Sequence, residues 1–490
     1  MVFSSETFLF LFLPLFLAAY YLTPNRFRSY TILAGSYLFY AWWRVDFLGL
    51  LFLTTAFTYL VGQKIDAHRH DPRGKIWLWI GVAGCLGVLG VFKYLNFFMD
   101  SFAALFGTDV ASLGIHWRLI LPIGISFYVF QSLSYLIDVW RGDARADAKF
   151  IDFAAFVALF PQLIAGPILR YKDLEHQFRH RTHSAEMFAD GMARFLIGLG
   201  KKVLLADAVA PLADLAFGNS GEVGMALAWA GAVAYMLQLY FDFSGYSDMA
   251  IGLGKMMGFN FLENFRFPYI SRSITEFWRR WHISLSNWLR DYLYISLGGN
   301  RRGAVRTYVN LMTVMVLGGL WHGANWTFVV WGLWHGGLLA VERATGHDRR
   351  ASGLAWALPV TLLCVLIGWV VFRAEHIGQA FEVYAAMLGA NGWIGDPALW
   401  LEVTRESVAL TAIAILVVIV EPRVDVATRG PAAPGPVVGD GSGSSGGATL
   451  AAERAPALQA ALSVALIGLG AVTVLKLAEQ SFSPFLYFQF

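Results

Sequence analysis

Two histidines are the residues of this chain best suited to do chemistry. His282 lies in Glu276-Phe277-Trp278-Arg279-Arg280-Trp281-His282-Ile283-Ser284-Leu285, and His322 lies in Gly318-Gly319-Leu320-Trp321-His322-Gly323. Both segments otherwise read as membrane or membrane-interface material. A neutral imidazole can donate a hydrogen bond, accept one, or take a proton near pH 7. An ionisable residue at membrane depth is costly and by default marks a functional site. One such histidine would fit a packed structural role. Two, one beside arginines and the other beside glycines, fit a site better. Arg279, Arg280, Arg290, Arg301 and Arg302 surround the first. Guanidinium forks match phosphate geometry, although topology control alone would also explain them. A buried histidine suits general-base activation of a hydroxyl. With a basic rim for a nucleotide-like carrier, the chemistry is acyl transfer from a cytosolic thioester.

No other signature competes. There is no Walker A, no dinucleotide-binding glycine fingerprint and no His-Glu-x-x-His. No metal site is expected: His68 and His70 read as a solvated loop, and Cys85 and Cys364 as small buried hydrophobes. Asp248 follows Ser244 by four residues, but no nucleophile elbow is present. Phe241–Asp248 therefore reads as a polar helix break.

The elements that position these groups must be membrane helices. Of 490 residues, 57% are hydrophobic and only 14% charged. That is too few charges to cover a soluble surface of this size. The fold class is all-α, a polytopic helical membrane protein. The net charge of +3 is too small to argue for nucleic acid. Lys and Arg counting puts the N-terminus outside, loops 23–28, 62–75 and 140–150 inside, and loop 99–116 outside. Phe150–Ile168 contains Pro161, Gly166 and Pro167. It reads as a re-entrant or tilted segment, because broken backbone survives only where protein covers it. Lys201 and Lys202 are expected to snorkel to an interface. The arginines of 272–306 fix that segment on the cytoplasmic side. There Trp278, Trp281, Leu285, Trp288 and Tyr292 form an aromatic stripe on one interfacial helix. Loop 374–404 lies outside, and 422–456 is a flexible cytoplasmic linker before the last span. The count is eleven to thirteen membrane segments in a single domain, 1–490. A transporter also fits a polytopic chain, but its polar groups would be spread through several spans.

The runs Glu276–Arg302 and Gly318–Trp334 resemble the signature blocks of the membrane-bound O-acyltransferase superfamily. Within it they are most similar to the bacterial alginate O-acetyltransferase branch, a distant relative of the D-alanyl transfer proteins of teichoic acid modification. Phe160–Ile168, Tyr240–Asp248 and Tyr487-Phe488-Gln489-Phe490 look like that branch too, so the resemblance runs from about residue 120 to the C-terminus. It implies a bundle with re-entrant or tilted helices around a central tunnel. It makes His322 the catalytic histidine and His282 the second polar site. One departure is Ser296 in Tyr294-Ile295-Ser296-Leu297-Gly298-Gly299, where the branch has proline. The resemblance further implies a multi-pass protein of the bacterial inner membrane, embedded in lipid. Acetyl-CoA would be the donor, with no bound cofactor. The acetyl group would pass to a periplasmic SGNH-type, acetylesterase-like partner or directly to a secreted polysaccharide. The alternative from another class is a transporter of a polysaccharide or a lipid-linked precursor.

Overall fold

The computed structural model describes residues 1–146, 149–429, 456–479 and 485–486. Among these residues the regular elements are helices, and the β contact is an isolated bridge between Val223 and Gly395. The N-terminal part comprises α1 (Thr7–Leu22), α2 (Arg28–Ala41), α3 (Asp46–Ala67), α4 (Pro72–Leu105) and α5 (Ile125–Arg141). Asp71 caps α4 by accepting from the Arg73 N–H at 3.0 Å. Pro72 takes the first helical position, where its missing N–H is harmless. A π turn, Gly90–Tyr94, interrupts α4. By length and composition α3, α4 and Arg405–Val424 can each cross a bilayer, while Thr7–Leu22 and Ala357–Arg373 are shorter apolar helices. α2 has 14 residues, which rise only about 21 Å against a hydrocarbon core of about 30 Å.

Phe150–Ile168 is broken where its prolines predict. A helix, α6 (Phe150–Val157), gives way to the single turn Phe160–Leu163, and Phe153 through Leu169 is buried throughout. α7 (Ala185–Gly200) then leads through the π turn Lys201–Ala206 into α8 (Asp207–Gly218), and α9 (Met225–Met256) packs along both.

α9 overturns the predicted helix break at Phe241–Asp248, because it runs through that stretch without interruption. Its carboxylates meet cations on α7 and the following π turn. Asp242 lies 2.7 Å from Lys202, and Asp248 lies 2.8 Å from Arg194 and 3.1 Å from Lys201. These pairs also explain why Lys201 and Lys202 do not snorkel. Lys201 further meets Glu421 at 2.6 Å, and Lys202 meets Asp207 at 2.8 Å. Gly245 serves helix crossing. A Cβ there would sit 2.7 Å from the Gly198 carbonyl oxygen. Only glycine lets the two backbones come this close.

Among the helices that follow are α10 (Ile274–Arg280), α11 (Ile283–Trp288), α12 (Ala304–His322), α13 (Trp326–Thr345), α14 (Ala357–Arg373), α15 (Arg405–Arg429) and α16 (Pro456–Glu479). The predicted interfacial helix from Trp278 to Tyr292 is therefore two helices with a corner at Trp281-His282. α15 runs to Arg429, so the first residues of the expected linker 422–456 are helical. Its Pro/Gly/Ser-rich part, Pro431–Gly447, lies outside the described residues, as do Tyr487–Phe490. Phe485 and Leu486 are buried. The Leu486 N–H donates to Asp242 at 2.9 Å, and the Phe485 ring meets the Tyr246 ring edge-on at 4.8 Å. Two hydrophobic cores result, one holding Tyr246, Trp288 and Trp321, the other Tyr240, Trp281, Trp331 and Trp369.

Replacing Gly245 by valine should push α7 and α9 apart and lower stability by about 1–3 kcal/mol, the usual cost of overpacking. Thermal unfolding of the detergent-solubilised protein measures this, and an unchanged midpoint would contradict the close crossing.

Candidate active site

The corner at His282 is built from both sides. Ser273 caps α10 by accepting from the Glu276 N–H at 3.0 Å. The Glu342 carboxylate, near the end of α13, accepts from the N–H groups of Ile274 at 2.6 Å and Thr275 at 2.9 Å. The helix dipole favours negative charge at that end. α10 ends at Arg280, Trp281 is extended, and His282 adopts a left-handed conformation with φ 44°. For a residue with a Cβ this costs about 1–2 kcal/mol, so the flanks must enforce it. They do so through Asn264. The Ile283 N–H donates to the Asn264 carbonyl at 2.9 Å, and the Ser284 hydroxyl donates to the Asn264 side-chain oxygen at 2.9 Å. The Arg266 N–H reaches the Arg280 carbonyl at 2.9 Å on the other side of the turn.

The result is an imidazole that leaves the helix surface and enters the interior. His282 is 0% exposed, and neither ring nitrogen has a hydrogen-bond partner among the described residues. Its ring meets Phe243 edge-on at 4.7 Å and lies 5.8 Å from Trp321.

His322 is the last residue of α12, and Gly323 continues in extended conformation. α12 and α13 form a tight hairpin on glycine. A Cβ on Gly319 would collide with the Phe328 carbonyl oxygen, and one on Gly332 would lie 2.5 Å from that of Met315. His322 is 5% exposed, and its ring touches Trp331 at 5.3 Å and Phe372 at 5.4 Å. The His282 and His322 rings lie 6.1 Å apart. They sit on the seam of the two cores, with Trp321 on one side and Trp331 on the other. Two imidazoles at this separation can bracket one reacting centre, one taking a proton and the other hydrogen-bonding to it.

Three groups near the pair escape the sequence reading. His335 is 0% exposed, boxed by Trp278 at 5.4 Å and Trp331 at 5.0 Å, with neither nitrogen partnered among the described residues. Lys93, only 8% exposed, donates to the Trp321 and His322 carbonyls, the latter at 3.3 Å. The Tyr94 hydroxyl donates to the Leu320 carbonyl at 2.8 Å. A lone lysine inside the apolar run 76–98 is the available signal. His335 carries the same kind of signal, a histidine in the apolar stretch of α13.

The five arginines occupy different settings. Arg280 pairs with Glu276 at 2.8 Å and donates to the Arg266 carbonyl at 3.1 Å, while Arg290 pairs with Asp291 at 2.7 Å. Arg279, Arg301 and Arg302 are exposed. Ser296, at the departure from the family pattern, accepts from Arg141 at 3.2 Å. Among the described residues no group of three or more His, Cys, Asp or Glu side chains is placed to hold a metal ion.

The profile of the MBOAT, membrane-bound O-acyltransferase family, matches residues 127–372, which include both histidines. The chain is 52% identical to the probable alginate O-acetylase of Azotobacter vinelandii over 100% of both chains. It is 38% identical to the peptidoglycan O-acetyltransferase of Helicobacter pylori over 80% of each. It is 26% identical to the teichoic acid D-alanyltransferase of Bacillus subtilis over 58% of this chain and 82% of that one. A helical chain with paired buried histidines and this breadth of similarity belongs to the membrane-bound O-acyltransferase family, and it is a membrane-bound O-acetyltransferase.

Proposed function

We propose that the protein takes an acetyl group from cytosolic acetyl-CoA and relays it across the bacterial inner membrane for O-acetylation of a secreted polysaccharide, alginate or an alginate-like polymer. The observation that carries this reading is the pairing of His282 and His322. They are 40 positions apart in sequence, yet their rings lie 6.1 Å apart in a buried site. The relatives named for alginate O-acetylation support the polymer class, since they match along their full length.

In this reading His322 is the general base. Its neutral imidazole takes the proton of an acceptor hydroxyl as the oxygen attacks the thioester carbonyl. The carbon–sulfur bond then breaks, and the imidazolium returns the proton to the departing thiolate. His282 hydrogen-bonds to the acyl group or its thioester and fixes its orientation. The exposed Arg279, Arg301 and Arg302 hold the phosphates at the cytoplasmic rim, with Arg280 and Arg290 contributing to the same basic field. The flexible arm of the donor reaches inward to the histidines. The acceptor, a periplasmic SGNH-type partner or the polysaccharide itself, approaches from the opposite side. The whole chain, 1–490, acts as one multi-pass domain.

His322→Ala should lower acetyl transfer by about a hundredfold to ten-thousandfold, as loss of a general base does. Acetate content of the polymer, measured beside the amount of folded protein, tests this, and a normal content would remove His322 from the mechanism. His282→Asn keeps a hydrogen-bonding group and should retain more activity than His282→Leu. Equal, near-normal activity in both would leave the His282 imidazole without a chemical role. For the donor route, a single cysteine at position 301 should react with thiol reagents from the cytoplasmic side. Labelling only from the periplasm would overturn the route and the topology behind it.

A further inference from the structure

We propose that Lys93, assisted by Tyr94, is the positioning residue for His322. The last carbonyls of any helix have no partner within the helix, and His322 ends α12 inside the protein. Three of those carbonyls, on Leu320, Trp321 and His322, are taken up by two consecutive residues of α4. Tyr94 donates to the first at 2.8 Å, and Lys93 donates to the second and, at 3.3 Å, to the third. Both residues sit in the π turn Gly90–Tyr94. Such a turn inserts a residue into an α-helix and re-aims the side chains around it, which is why π turns gather at functional sites. Here it turns two successive side chains toward one helix end.

The lysine is fully engaged within the protein. An ammonium has three donors and no acceptor. The third donor goes to the Ser126 hydroxyl at 3.1 Å. No hydrogen is left over for a ligand, so the group holds structure rather than substrate. Lys93 also forms no ion pair among the described residues. What faces its charge is the negative end of the α12 dipole. The Trp321 ring, 5.8 Å away, faces it too, and an aromatic face attracts a cation. A cation buried in an apolar helix without a carboxylate is costly, and nothing in helix packing requires it at this point. It does fix where α12 stops, and therefore the direction in which the His322 imidazole leaves the backbone.

The inference rests on His322 being the reacting base, and its test separates the two. Lys93→Met keeps the length and volume of the side chain but loses the charge and all three donors. Lys93→Arg keeps a cation and finds room, because Lys93 forms part of the wall of a cavity of about 580 Å³ that Ser126 and Trp43 also line. Tyr94→Phe removes a single hydrogen bond. With protein amounts normalised to folded molecules, kcat of Lys93→Met should fall by about tenfold to a hundredfold, the worth of hydrogen bonds to a charged group. KM for acetyl-CoA should change less than about twofold, because donor binding is untouched. Lys93→Arg should recover part of kcat, and Tyr94→Phe should lose only about fivefold. Diethylpyrocarbonate, read out by mass spectrometry, should modify His322 at an altered rate in Lys93→Met while modifying the exposed His70 as before. A folded Lys93→Met with normal kcat, in a system where His322→Ala is dead, overturns this proposal alone. Normal turnover in His322→Ala overturns the reading beneath it. If Lys93→Met does not fold, Tyr94→Phe decides, and unchanged kcat there overturns the clamp.

Discussion

A helix that stops inside a protein must find partners for its last carbonyls outside itself, and the candidate active site is arranged around one such end. α12 terminates at His322 between two hydrophobic cores. Its termination needs donors from another helix, and α4 supplies them through a lysine and a tyrosine. Its continuation needs a sharp return, and Gly319, Gly323 and Gly332 let α13 lie directly against it. The same two requirements that end the helix thus leave one imidazole at its buried tip and hold that tip still.

His282 solves a complementary problem. A side chain on a regular helix points along that helix's face, and α10 and α11 run along aromatic surface. To bring an imidazole to the α12 tip, the chain has to turn a corner, and the corner passes through a left-handed residue that is not glycine. Asn264 and Arg266 tie both flanks of the turn, and strain persists only where its surroundings over-determine it. Backbone strain held by surrounding hydrogen bonds, directly beside a second buried histidine, is what a preorganised site requires. What answers the transporter alternative is the family to which the chain belongs, which transfers acyl groups.

Much of this is legible in the sequence. The membrane class follows from composition, the broken segment around Pro161 and Pro167 from proline chemistry, and His282 and His322 from polar residues in apolar runs. What escapes is set by contacts between distant parts of the chain. Phe241–Asp248 reads as a break because glycine and aspartate disfavour a helix interior, and only the cations on α7 and its π turn make that stretch a stable helix. The lysines at 201 and 202 read as interfacial residues for the same reason, since the α9 carboxylates that hold them are far away in sequence. The corner at His282 is invisible because no glycine or proline marks it; the turn is dictated by Asn264, which has no periodic signature. His335 and Lys93 are single polar residues whose significance appears only once Trp278, Trp331 and the end of α12 are seen around them.

The difference between the two histidines then follows from what holds each one. His322 is held through its backbone carbonyl, which fixes the helix end from which its ring departs. His282 is held through its neighbours, Ile283 and Ser284, and both of its ring nitrogens lack a partner among the described residues. A buried polar group left in that condition costs about 1–3 kcal/mol, and proteins keep such groups where a ligand will satisfy them. In the proposed reading, an anchored backbone with an unengaged imidazole suits a residue that bonds to the acyl group and releases it.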